Sequence, residues 1–108
     1  MGTEKAKNDV RRLIEILKDH KARIDERDDA AMDLSFHAGP LALQALAQFC
    51  IDNSSEDEIL LSSCGESIAE IWLKLNMFDR KVLNALPLVA KREATSILKV
   101  RKPEWIEE

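Results

Sequence analysis

Apolar residues return along this chain at three- and four-residue steps, the period of a helix with one buried face. Val10, Leu13, Ile14, Leu17 and Ile24 form one narrow stripe opposite Arg11, Glu15, Lys18 and Asp19, and predict a first helix from about residue 4 to residue 27. The charged run "DERDDAAMD" reads as a hinge or a new helix start, with Asp28 or Asp29 as N-cap. Ala30, Ala31, Leu34 and Ala38 then predict a short helix ending at "HAGP", where Gly39 suits a helix end and Pro40 the first position of the next helix. Residues 40–52, "PLALQALAQFCID", are polar only at Gln44, Gln48 and Asp52, which share one side. That segment is the expected central helix.

Ser55, followed three residues later by Glu58, has the form of a capping box and predicts a fourth helix. At about 100° per residue, Leu60, Leu61, Cys64, Ile68, Ile71, Trp72 and Leu75 share one face of it, while Glu66 and Glu70 point away beside Ser62 and Leu73. Cys64 is therefore expected in the core, where apolar surroundings raise a thiol's pKa and make it inert. Asn76 is a plausible stop, and Asp79 a cap for a last helix carrying Val82, Leu83, Leu86, Ala90, Ala94 and Ile97 on one side. Pro87 predicts a kink or restart within it. Glu93 projects toward the apolar face, either paired with a base such as Arg101 or at the stripe's edge. Lys99, Arg101 and Lys102 crowd the final turn, where the helix dipole favours cations. Pro103 ends the helix, and the tail 103–108 is expected to dock through Trp105 and Ile106.

Composition narrows the fold class. With 108 residues, 45% hydrophobic and 33% charged, the chain is the length of one globular domain. Three glycines, three prolines and no tyrosine leave little material for turns and strands. The expectation is one all-α domain over 1–108, with about five helices arranged as antiparallel helical hairpins. A net charge of −4 disfavours a nucleic-acid binder, which carries a basic footprint. No apolar run reaches the roughly 18 residues of a membrane span. The N-terminus lacks a signal-peptide apolar region, and Ala6 stands where a myristoylation motif needs Ser or Thr. A reducing cytoplasm, with both cysteines as thiols, is the expected location.

Candidate chemistry is sparse. His20 and His37 are the available bases near neutral pH, and each suits a helix boundary better than a catalytic role. A thiol enzyme using Cys64 or Cys50 with His37 requires a reactive thiol, yet both cysteines fall on apolar faces. Neither His-x-x-x-His, Glu-x-x-His nor Cys-x-x-Cys is present, and "SSEDE" lacks the glycine and alternate spacing of a calcium loop. No catalytic residue, metal or cofactor is expected. The surface offers more: Asp52, Glu56, Asp57, Glu58, Glu66 and Glu70 lie along or before one helix, with Lys74 as the nearby balance and Ile59 and Leu73 on the same side. Such an acidic strip suits a basic protein partner and steers its approach.

"HAGPLALQALAQF" (37–49) overlays "SCGESIAEIWLKL" (63–75) with Gly39 against Gly65; the second run resembles a HEAT-repeat helix, and "DRKVLNALPLVAKREATSIL" resembles its partner helix. Over about residues 30–100 the chain thus resembles HEAT-like α-helical repeats, which implies a right-handed stack, with a compact bundle as the other arrangement. Size, acidity and helical class together resemble the small immunity proteins of bacterial contact-dependent growth inhibition systems. The resemblance implies a non-enzymatic inhibitor that binds one cognate toxin domain, often a basic nuclease, and occludes its active site. The acidic strip would meet the toxin, and the chain would be a monomer or weak homodimer. Two other functions fit the composition: a helical adaptor, docking or self-associating through Trp72 and Trp105, and the thiol enzyme.

Overall fold

The computed structural model describes residues 2–37 and 39–107, with side chains from residue 8 onward. It is 80% helical with no strand among the described residues, an all-α fold in which five helices have seven residues or more. In chain order the helices, long and short, are α1 (Gly2–Lys18), α2 (Ile24–Asp33), α3 (Pro40–Asp52), α4 (Glu58–Leu75), α5 (Arg80–Ala85), α6 (Leu88–Arg101) and α7 (Pro103–Ile106), with a 3-10 turn at Leu34–Phe36 after α2. None is long and apolar enough to cross a membrane.

The expected first helix is divided. α1 stops at Lys18, where the Asp19 carboxylate accepts from the Lys21 backbone N–H at 2.9 Å and turns the chain. Arg27 completes the break: it is only 3% exposed, and its Nε donates to the Leu17 carbonyl at 2.9 Å, satisfying one of the carbonyls a helix end leaves open. Asp28 and Asp29 consequently lie inside α2, which has Arg23 at its N-cap position, and cap nothing. This short helix also ends before "HAGP": α2 stops at Asp33 and the 3-10 turn Leu34–Phe36 follows it, while Ala38 itself falls outside the described residues.

Later boundaries follow the sequence more closely. Pro40 opens α3, and Asn76 closes α4 in the left-handed conformation with φ 51°. Asp79 caps α5 by accepting from the Lys81 and Val82 N–H groups, and Pro87 restarts the chain as α6. At the start of α4 the cap is Asp57, which accepts from Ile59 and Leu60, in place of the Ser55–Glu58 box. Leu75 is 36% exposed and drops out of the stripe, whereas Leu98, absent from the expected last-helix stripe, is fully buried.

Side-chain contacts fix the helix directions. From α2 to α4, Arg27 meets Glu56, the Ser67 hydroxyl donates to the Ala31 carbonyl at 2.7 Å, and the Lys74 ammonium donates to the Ser35 carbonyl at 2.7 Å. Both positions advance together, so α2 and α4 run parallel. Ser62 with Glu93 and Glu70 with Arg101 show the same for α4 and α6. Helices α1, α3 and α5 return between them, so α1–α2, α3–α4 and α5–α6 are antiparallel hairpins stacked side by side. The molecule measures 39 × 35 × 19 Å, and its thickness matches two layers of helices about 10 Å across. The equivalent helices are thus α2, α4 and α6. Laying 37–49 over 63–75 superposes the two members of a single hairpin, and Gly39 at the N-cap of α3 has no structural counterpart in Gly65.

The core forms around α4, which is covered by α2, α3 and α6. Leu60, Leu61, Cys64, Ile68, Ile71 and Trp72 are buried, and Gly65 lies where α4 and α6 approach most closely. A methyl group on Gly65 would run into the Ala90 carbonyl oxygen and lie 2.9 Å from the Ala90 carbonyl carbon and Cα. Beyond α6, Trp105 stacks on Phe78 at 5.5 Å, and Phe78 meets Trp72 edge-on at 5.1 Å.

Gly65→Ala should therefore destabilise the domain by about 1–3 kcal/mol through overpacking. At an exposed mid-helix site the same change stabilises by up to about 1 kcal/mol. Denaturant midpoints decide the sign, and an unchanged or raised midpoint refutes the close crossing.

Candidate functional site

The carboxylates expected to form one strip differ in what engages them. Glu56 turns inward: its side chain is 16% exposed, and its oxygens lie 3.3 and 3.2 Å from the Arg27 guanidinium. The exposed His20 ring approaches it at 3.3 Å. The Arg27 hydrogen bonds, opposed by burial, hold the Glu56 pKa below the ordinary glutamate value. Asp57 is committed to capping α4, and exposed Asp52 accepts from Gln48 at 2.9 Å. Glu58 is exposed in the first turn of α4, beside Ile59 at 69% exposure. Glu66 and Glu70 lie one helical turn apart farther along α4.

Those two join a different group. Burial, and after it the charges of Glu93 of α6, Glu70 of its own helix and Asp28 of α2, raise the Glu66 pKa above the ordinary value. The four carboxylates lie on the layer formed by α2, α4 and α6. Glu93 accepts from the Ser62 hydroxyl at 2.9 Å, and Glu70 has a loose ion pair with Arg101 at 3.4 Å. One Asp28 oxygen is buried without a hydrogen-bond partner among the described residues. Lys74, expected to balance the acids, is engaged by Ser35 and lies over the Phe36 ring at 5.1 Å. Leu73, expected on the outer side, is half-buried and packs on the core. Asp28 and Glu93 were invisible as members of this site because only the parallel packing of α2, α4 and α6 brings them to Glu66.

The thiols are deep in the core. Cys50 and Cys64 are both free and fully buried. The neighbouring Cys50 thiol, with burial, pushes the Cys64 pKa well above its ordinary value, the opposite of what a nucleophile needs. His37 lines a shallow depression with Asp9, Arg12 and Asp33 on the α1–α2 hairpin. Both tryptophans named for self-association are engaged internally, Trp72 fully buried and Trp105 stacked on Phe78. Among the described residues no group of three or more His, Cys, Asp or Glu is placed to hold a metal.

Comparison with protein families, curated proteins and solved structures finds no match for this chain.

The two glutamates should give opposite pH signatures. Glu56 has a folded pKa below its unfolded value of about 4.3, so its stabilisation is full above that value and is lost as pH falls through the folded pKa. Glu56→Gln should cost about 1–3 kcal/mol at pH 7 and remove part of the acid sensitivity below pH ~4. Glu66 has a raised pKa, so its relative contribution is favourable below the unfolded value and is lost as pH rises through the folded one. Glu66→Gln should stabilise the neutral protein by up to about 1 kcal/mol, a gain that vanishes in acid. Urea midpoints from pH 3 to 8 test both signs.

Folded protein mixed with a chromogenic disulfide at pH 8 should release almost no thiolate until denaturant is added. Rapid reaction of either cysteine in the native state would restore the thiol-enzyme reading.

Proposed function

We propose that this chain is a non-enzymatic binding protein, specifically a cytoplasmic immunity protein that holds a basic bacterial toxin domain and occludes its active site. One observation carries the proposal: Asp28, Glu66, Glu70 and Glu93 gather on the α2–α4–α6 layer, and among the described residues Arg101 is the one cation paired into the group. Like charges held together raise the free energy of the folded chain. A lysine- or arginine-rich surface relieves that repulsion, so part of the binding energy is stored in the unbound protein. The stacked-hairpin architecture supports the proposal, since such stacks present extended faces suited to protein partners. The resemblance in size, acidity and helical class to the immunity proteins of contact-dependent growth inhibition suggests the class of partner, a toxin domain such as a basic nuclease. On this account the free protein is a monomer or a weak dimer and needs no cofactor.

The test is capture from the native organism with the tagged chain at low and at high salt. A basic toxin-like polypeptide should be retained at low salt and released at high salt, and added chain should abolish its activity at one-to-one stoichiometry. Glu66→Lys combined with Glu93→Lys should weaken binding by at least about tenfold, largely through slower association. Capture unaffected by these changes would remove the acidic layer as the interface. Capture without inhibition would remove the immunity function.

A further inference from the structure

The first layer of the stack is incomplete. α5 has 6 residues where α3 has 13, so it covers little of the surface beside α3. The gap is an apolar groove of about 390 Å³, with Leu43, Ala47 and Ile51 on one wall and Met77 and Val82 on the other. That volume lies within the roughly 300–1,000 Å³ of small-molecule sites, as does a lining that is apolar apart from a few polar groups. Trp72 of α4 contributes to the lining and is fully buried; its indole Nε1–H has no hydrogen-bond acceptor among the described residues and is closed to solvent, so an acceptor reaches it only when the lining yields. A buried donor left unpaired costs folding free energy that an arriving acceptor recovers. Met77 is 45% exposed, and its unbranched, adaptable side chain can move aside for an entering group. Asp79 and the amides Gln44 and Gln48 also line the groove, and the Asp79 carboxylate disfavours an anion.

We propose that this groove binds a neutral, mostly hydrophobic small molecule whose carbonyl oxygen accepts a hydrogen bond from the Trp72 Nε1–H. The site is separate from the acidic layer: it opens between α3 and α5, whereas Glu66 and its neighbours lie on α2, α4 and α6. A ligand there ties α3 to α5 and stabilises the third hairpin against the second.

Acetophenone and its isostere α-methylstyrene, in which a methylene replaces the carbonyl oxygen, are suitable probes. Both are titrated into uniformly ¹⁵N,¹³C-labelled full-length protein while methyl and indole resonances are followed. Both should shift the Leu43 and Val82 methyls, but only acetophenone should move the Trp72 indole N–H downfield, and it should bind roughly three- to tenfold more tightly, the worth of one neutral hydrogen bond. Trp105 serves as the internal control. Ala47→Leu, which fills the groove, should abolish the shifts; if it fails to fold, Gln44→Phe on the exposed rim should reduce them by obstructing the mouth. Equal affinities with an unmoved Trp72 indole overturn the assignment of its N–H, and shifts that persist in a folded groove variant overturn the site. Methyl and indole shifts that appear only with a protein partner, and with neither probe, also overturn it.

Discussion

Everything in this fold turns on how closely α6 can approach α4. Gly65 has no side chain, and that absence lets the Ala90 carbonyl come into contact with α4. A larger residue would push the two helices apart, and the small buried Ala69, Ala90 and Ala94 around this approach would lose their packing. α4 also carries the bonds to the opposite neighbour, with Ser67 on Ala31 and Lys74 on Ser35. It is thus the common wall of the stack. Its burial on several sides explains why it holds nine buried residues when a surface helix would bury only a narrow stripe.

The same geometry accounts for the charge distribution. Parallel packing of α2, α4 and α6 brings acids from three distant segments to one layer, including Glu66, which the core partly desolvates. At the other end of α4, Arg27 recruits Glu56 to hold the break between α1 and α2. One glutamate therefore strengthens the fold and the other weakens it, although both precede or lie on the same helix. The contrast separates a carboxylate that supports the fold from one that opposes it, and the proposed interface rests on the second kind.

Local signals proved legible and long-range ones did not. Pro40, Asn76, Asp79 and Pro87 marked real boundaries because capping and proline restriction act within one helical turn. Cys64 was placeable in the core because its stripe neighbours are strongly apolar. The division of the first helix was hidden, since Arg27 reads as a surface residue until it is seen bonded to the Leu17 carbonyl. Asp57 outcompeted Ser55 for the cap of α4, a one-turn ambiguity that sequence spacing alone leaves open. The acidic site was half legible: Glu66 and Glu70 were in view, whereas Asp28 and Glu93 reach them only through tertiary packing. The groove beside Trp72 left no local signature, because it arises from the shortness of α5 after Pro87 restarts the chain.

The central claim is that the α2–α4–α6 layer is the surface that meets a basic protein. Zero-length carbodiimide cross-linking of the captured complex, followed by peptide mapping, tests it most directly, because the reagent joins carboxylates only to amines already in contact. Cross-links from Asp28, Glu66, Glu70 or Glu93 to partner lysines are the predicted result. Cross-links confined to Asp52, Glu58 or the tail, with those four carboxylates free, would contradict it.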